Sequence, residues 1–172
     1  MPEPAASSAA PVFRWARLED LSGPEVHALL SAREQVFVVE QACAYHEADD
    51  LDPVSWHLTA HVDGVLAACA RVVDPGKKHD APSIGRVMTV AAFRGRRLGE
   101  ALMREAISGT RARFPGQAIR ISAQAYLLGF YNALGFEAEG APYLEDGIPH
   151  IGMRLAPAQA RPAAPDRSAG QA

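Results

Sequence analysis

The sequence contains few cysteines and no pattern of metal ligands. Only Cys43 and Cys69 occur among its 172 residues, and neither lies in a CxxC pair or beside a histidine at the spacing of a zinc site. We therefore expect two reduced thiols and no bound metal. Cys69 stands within an apolar stretch, where a free cysteine is usually buried.

Long apolar runs and an excess of charge are absent as well. No apolar segment approaches the roughly 20 residues needed to span a bilayer, and the first residues lack the basic start and apolar stretch of a secretory signal. The formal net charge is only −3, which gives no general attraction to nucleic acid or to an anionic membrane. These absences predict a cytoplasmic protein that binds neither membranes nor nucleic acid, and both a monomer and a homodimer stay open.

The length of the chain and its share of hydrophobic residues suffice for one hydrophobic core. Hydrophobic residues make up 48% of the chain, and a chain of this length buries one core well but rarely two. Residues 12–155 are therefore expected to form a single domain. The segments 1–11 and 156–172 are rich in alanine, proline and serine, lack apolar periodicity and are expected to be flexible tails.

Apolar periodicity predicts an alternation of strands and helices. Ser22 and Glu25 form a capping box before a helix that should run to about Val39, and Asp63-Gly64 joins two apolar strands as a hairpin turn. This order favours a mixed α/β sheet flanked by helices over a doubly wound parallel sheet. The predicted strands are 12–18, 56–62, 65–73, 83–90, 116–123, 136–143 and 148–155, and the predicted helices are 22–39, a helix from Leu98 onward, and 126–134.

The central stretch of the chain consists of a strand, a turn rich in arginine and glycine, and a helix. The turn from Arg94 to Gly99 follows the strand that ends near Val90. The start of a helix offers free N–H groups and the positive end of the helix dipole, and both favour a phosphate. The turn is neither GxxxxGK(S/T) nor GxGxxG. It is predicted either to cradle a phosphate or pyrophosphate, or to be an ordinary connection with solvated arginines.

Two other charged regions leave alternatives open. Residues 40–53 include five carboxylates, which predict either a lip that binds a cation or amine, or a solvated loop. Arg33 and Arg86 lie in apolar surroundings and need carboxylate partners, for which Glu40 and Asp146 are candidates. Such pairs would either shape an acceptor site or stabilise the fold.

Two motifs resemble the GNAT superfamily of N-acetyltransferases. Arg94 and Gly99 occupy the first and last positions of its Arg/Gln-x-x-Gly-x-Gly/Ala motif, although Arg97 replaces the middle glycine. The segment from Phe130 to Phe136 resembles the superfamily's F-Y-x-x-x-G-F motif, and the similarity covers roughly residues 13–155. Further stretches resemble its ElaA-like branch: Val36 to Gln41, Ile84 to Val87, Ala123 to Ala125 and Glu145 to Ile151.

The resemblance implies a GNAT-like acyl-CoA N-acyltransferase fold and direct transfer of an acetyl group from acetyl-CoA, the cosubstrate, to a primary amine. It implies that Tyr131 is the general acid for the departing thiolate, because a phenol with a pKa of about 10 stays protonated at neutral pH. It also implies that the turn binds the pyrophosphate, that a splayed strand end binds the pantetheine arm, and that an amide side chain touches the cosubstrate. The implied residues are Arg94, Gly95, Arg96, Arg97, Leu98, Gly99 and Glu100 in the turn, Val87, Met88 and Thr89 in the strand, and Gln124.

The general base and the acceptor stay open. Glu40, His57, Glu145 and His150 can each accept a proton, as can solvent, and Glu40 and His150 interrupt apolar surroundings. The acidic residues nearby suggest a cationic amine as acceptor. The alternatives to an enzyme are a non-catalytic sensor or interaction module that binds acyl-CoA and, least favoured, a nucleic-acid-binding protein.

Overall fold

A seven-stranded mixed sheet forms the centre of the chain. The computed structural model describes residues 9–158, so the predicted tails at 1–11 and 156–172 lie outside it except for three residues of each. No helix in this described part is long and apolar enough to cross a membrane. The strands are β1 (Val12–Arg17), β2 (Ser55–Val62), β3 (Val65–Val73), β4 (Ser83–Thr89), β5 (Ile119–Gln124), β6 (Glu137–Glu145) and β7 (Ile148–Leu155), and the helices are α1 (Gly23–Glu34), α2 (Leu98–Arg113) and α3 (Leu128–Ala133).

The sheet contains one parallel pair of strands. Its order is β1-β2-β3-β4-β5-β7-β6, and neighbours are antiparallel except for β4 and β5. These two strands pair only at Ser83 with Arg120 and at Ile84 with Ile121. Because both strands continue for several residues beyond this pairing, they separate after Ile84 and leave a gap in the middle of the sheet.

Local sequence features set the start of α1 and the β2–β3 hairpin. The Ser22 side chain accepts a hydrogen bond from the Glu25 N–H, and the Ser22 N–H donates to the Glu25 carboxylate at 2.8 Å, which confirms the capping box. Asp63 and Gly64 have φ angles of 51° and 77°, as a type I′ turn requires. The predicted strands are confirmed, with shifts of a few residues at their ends.

The first helix departs from prediction before it ends. At Gln35 it passes into a π-helical segment, Gln35–Glu40, where the sequence predicts a plain helix to about Val39. The wider π turn is uncommon and frequently occurs at functional sites. It brings Glu40 and Gln41 to the gap between β4 and β5.

Helices cover both faces of the sheet around this gap. Side chains of a strand alternate between the faces, and in β4 Val87 packs against the core under α2 and α3. Its neighbour Met88 packs instead with Leu29 and Val36 on the α1 side. The gap between β4 and β5 therefore connects the two faces, and groups from both can reach it.

Candidate active site

A cavity of about 550 Å³ fills the gap between β4 and β5. One wall is the whole of β4, the opposite wall is the end of β5, and the π-helical segment and the β6–β7 turn close the remaining sides. Eight predicted site residues line it: Glu40, Val87, Met88, Thr89, Arg94, Gln124, Tyr131 and His150. The other predicted residues, Gly95, Arg96, Arg97, Leu98, Gly99 and Glu100, form the turn that continues outward from Arg94 and are not part of the lining.

Tyr131 on α3 has the surroundings of a proton donor. It is buried, and its ring meets Phe130 and Phe136 edge to face at centroid distances of 5.1 and 6.0 Å. Burial raises the pKa of Tyr131 to about 12, because a phenolate is poorly solvated there. The side chain is therefore protonated at neutral pH while it lines the cavity.

His150 on β7 has the surroundings of a proton acceptor. Its Nδ1 lies 2.7 Å from the carbonyl oxygen of Ile148. Because a carbonyl oxygen can only accept, Nδ1 carries the hydrogen, and the neutral ring keeps a lone pair on Nε2. The ring stacks on Tyr143 with the centroids 6.1 Å apart, and in the sheet His150 lies opposite Gln124.

The other three candidate bases already have an ion-pair or hydrogen-bond partner. Glu40 forms an ion pair with Arg94 at 2.6 Å, and Glu145 accepts a hydrogen bond from Ser122 at 2.9 Å. His57 is buried away from the cavity with its Nε2 at 2.9 Å from the carbonyl oxygen of Asp52. Burial lowers the pKa of His57, so it stays neutral as a structural donor. Of the four candidates, His150 has the basic nitrogen that is available within the cavity.

The two thiols differ in their position, because Cys43 lines the cavity and donates a hydrogen bond to the carbonyl oxygen of Asp146 at 3.5 Å, whereas Cys69 lies outside the lining. Cys69 is fully buried in β3, and burial raises the pKa of its thiol to about 12. A buried, protonated thiol is inert. Cys69 is therefore unsuited to act as a nucleophile.

The turn before α2 has the backbone geometry of an anion site. Gly95 and Arg97 have φ angles of 77° and 57°, and α2 begins immediately afterwards, so the N–H groups of its first turn have no partner within the helix. Arg94 donates to the carbonyl oxygen of Thr89 at 3.0 Å and joins the turn to the end of β4. Arg97 takes the left-handed conformation that the replaced glycine would adopt without strain, and its side chain turns away to Glu100 at 2.7 Å.

The acidic segment is not simply a solvated loop. Glu47 and Asp52 are buried and bind Arg33 at 2.5 and 2.7 Å, and Asp49 binds Arg71 at 2.5 Å. These three carboxylates turn inward because three arginines on α1, β3 and β4 require counter-charges at the sheet surface, so the prediction of a solvated loop is wrong for them. Asp50 is exposed, and Glu40 lines the cavity, so a lip for an amine stays a prediction.

The predicted partners of Arg33 and Arg86 are also wrong. Arg86 binds Glu47 at 2.9 Å and Asp49 at 3.3 Å, whereas Glu40 pairs with Arg94 and not with either of them. Burial alone would raise the pKa of Asp52, but the hydrogen bonds and charges of Arg33 and Arg71 outweigh it and hold that pKa well below its usual range. Asp52 is thus ionised throughout the neutral range.

Sequence reasoning missed Arg71 altogether. It lies within the apolar strand β3, is 4% exposed and lines the cavity. An arginine among small apolar residues was the available indication, because a buried arginine requires a partner. Its neighbour Arg86 sits at a register shift between β3 and β4 with a φ of 52°, the kind of bulge that redirects a side chain beside a site.

Comparison with known proteins agrees with this geometry. A family model described as an acetyltransferase (GNAT) domain matches residues 19–157. A UPF0039 protein from Synechocystis sp. is 43% identical over 142 residues, which cover 82% of this chain and 92% of that protein. The protein ElaA from Escherichia coli is 37% identical over 146 residues, 83% of this chain and 95% of its own.

A solved structure gives the same assignment. The crystal structure of an acyl-CoA N-acyltransferase from Pseudomonas aeruginosa matches with a TM-score of 0.82 and 42% identity, over 86% of this chain and all of that one. The fold is thus the acyl-CoA N-acyltransferase fold, with the gap between β4 and β5 at its centre. The chain belongs to the GNAT acetyltransferase family, in its ElaA-like branch.

Proposed function

We propose that this protein transfers the acetyl group of acetyl-CoA directly to a primary amine, with Tyr131 as general acid and His150 as general base. The observation that carries the proposal is the cavity itself. It brings a protonated phenol and an available imidazole nitrogen to the same gap between β4 and β5. The family uses acyl-CoA donors, and the free thiols among the described residues suit the reducing conditions of the cytoplasm.

The donor would enter from the turn. The N–H groups at the start of α2, together with Arg94, Arg96 and Arg97, would hold the pyrophosphate. The backbone of Val87 to Thr89 would pair with the pantetheine arm, since this part of β4 has no strand partner on the β5 side. Gln124, held at 3.2 Å by Gln41, would touch the arm from the opposite wall.

The chemistry then needs two proton transfers. The amine lone pair attacks the thioester carbonyl carbon, the C–N bond forms, and the C–S bond breaks. The thiolate takes the Tyr131 proton, and the proton lost by the amine nitrogen passes to Nε2 of His150.

Thiol release from acetyl-CoA over a panel of primary amines tests the activity. Tyr131→Phe removes only the hydroxyl and should lower kcat by about 100-fold or more, while calorimetry finds the affinity for acetyl-CoA unchanged. His150→Gln should lower kcat in the same way. If acetyl-CoA binds and no amine releases thiol, the chain is a non-catalytic acyl-CoA-binding module. Equal losses of kcat and donor affinity in Tyr131→Phe would remove its role as the acid.

A further inference from the structure

The cavity extends beyond the part that the donor would occupy. It follows β4 from Ser83 to Thr89, a distance of about 20 Å at the rise of an extended strand. The proposed donor site takes the end at Val87 to Thr89, next to Arg94. The half beside Ser83 to Arg86 is then left for the acceptor.

The charged side chains on the β3–β4 wall of this second half are basic. Arg71, Arg86 and Lys78 line it. The carboxylates that pair with the two arginines belong to the 47–52 segment and are not part of the lining. The charged residues that line this wall are therefore basic, and the acids that pair with the two arginines lie outside the lining.

Arg71 also has a hydrogen-bond donor to spare. Its Nη1 and Nη2 bind Asp49 and Asp52, but its buried Nε has no hydrogen-bond partner among residues 9–158. Buried N–H groups without a partner are rare and unfavourable. Because Arg71 lines the cavity, a ligand oxygen that reaches Nε would satisfy this group.

The opposite wall carries the acidic groups that suit an amine. Glu145 and Asp146 line the cavity from the β6–β7 hairpin, on the same side as His150. The acceptor is thus offered basic groups on one wall and acidic groups on the other. A simple cationic amine would use only the acidic wall.

Resting on the proposed function, we propose that the acceptor is an amine that also carries a carboxylate, received by Arg71, Arg86 and Lys78. Arg71 lies opposite Gly85, and Gly85 is three residues before Met88 in β4. These three residues span about 10 Å at most. With the thioester beside Met88, within the proposed path of the pantetheine arm, a carboxylate at Arg71 would lie at a distance of this order from the reacting nitrogen. An ω-amino acid can span such a distance, whereas an α-amino acid acting through its α-nitrogen cannot.

Matched pairs of amines test this assignment. ω-Amino acids of increasing length are compared with alkylamines and with ω-aminoalkyl phosphates of the same length, by thiol release from acetyl-CoA. The carboxylate series should give kcat/KM values about tenfold higher or more than the alkylamines, with an optimum length. Equal values, or a preference for the alkylamine or for the phosphate, would overturn the proposal while leaving the acetyltransferase activity standing.

Binding decides the question if no amine is acetylated. The same compounds are titrated calorimetrically into the protein saturated with CoA. If the ω-amino acid binds more tightly than the alkylamine of the same length, the carboxylate site is supported even when no acetyl transfer is detected. Absence of this difference overturns it.

Two variants locate the site. Lys78→Gln, at an exposed position of the cavity lining, should lower the preference for the carboxylate severalfold, whereas Lys77→Gln next to it, outside the lining, should not. Arg71→Lys keeps the positive charge beside Asp49 and removes the Nε–H, and it should also lower the preference. An unchanged preference in both Lys78→Gln and Arg71→Lys would place the carboxylate elsewhere and overturn the assignment.

Discussion

Two clusters of arginines and carboxylates flank the cavity, and they differ in their access to water. The buried cluster consists of Arg33, Arg71, Arg86, Glu47, Asp49 and Asp52, and the turn cluster of Arg94, Arg97, Arg104, Glu40 and Glu100. The Arg33 and Glu47 side chains are 1% and 4% exposed, whereas the Arg97 side chain is 85% exposed. The same pairing chemistry therefore has different consequences at the two ends of β4.

In the buried cluster each charge depends on its partner. An ion removed from water without a counter-charge is strongly unfavourable, so the arginines and carboxylates fix one another and, with them, the loop that carries the carboxylates. In the turn cluster water already solvates the charges, and such pairs contribute little to stability. The turn arginines can exchange a carboxylate for a phosphate at little cost, as a reversible donor site requires.

The largest expected effect is the loss of a buried charge. Arg33→Ala leaves Glu47 and Asp52 without a major partner and should lower the free energy of unfolding by about 3–5 kcal/mol. Arg104→Ala, which breaks a pair with Glu100 in the turn cluster, should cause no measurable loss. Denaturation by urea measures both. Similar losses in the two variants would contradict the distinction between the clusters.

A smaller effect is expected when the turn before α2 loses its arginines. Alanine at Arg94, Arg96 and Arg97 together should weaken acetyl-CoA binding about tenfold or more, because hydrogen bonds from charged donors to phosphate are lost. The free energy of unfolding should change far less than in Arg33→Ala. Calorimetric titration measures the affinity.

A control separates local contacts from net charge in this titration. Arg120 and Arg154 pair with Glu139 on the sheet surface outside the cavity, and their double alanine variant also lowers the positive charge. Its affinity for acetyl-CoA should equal that of the wild type. Equal weakening in both variants would mean that the turn gives only a general attraction.

The two clusters also show which features of the structure could be predicted from the sequence and which could not. The strands, the turn before α2 and the place of Tyr131 follow from periodicity and local motifs, and the structure agrees. The partners of Arg33 and Arg86 do not, because they depend on how a loop of irregular sequence folds across the sheet. Local spacing does not encode that path, and so it could not distinguish Glu40 from Glu47 as a partner of Arg33.

The smallest expected effect concerns Arg97, the residue that departs from the family motif. The left-handed backbone conformation at this position is unfavourable by about 1–2 kcal/mol for a residue with a side chain. Glycine avoids this strain, but it also makes the unfolded chain more flexible, which reduces the difference in the free energy of unfolding. Arg97→Gly should therefore be more stable than Arg97→Ala by about 1 kcal/mol. Both variants lose the same ion pair with Glu100, so their difference in urea denaturation isolates the backbone contribution.

The affinities of these two variants for acetyl-CoA then assign a role to the Arg97 side chain. Equal weakening in Arg97→Gly and Arg97→Ala would show that the guanidinium group contributes to donor binding, since only its charge and hydrogen bonds are removed in both. If Arg97→Gly binds as tightly as the wild type and Arg97→Ala binds less tightly, the backbone conformation matters and the side chain is a tolerated replacement of the motif glycine. Because the Arg97 side chain is exposed and can exchange its surface pair with Glu100 for the pyrophosphate, we expect the first result.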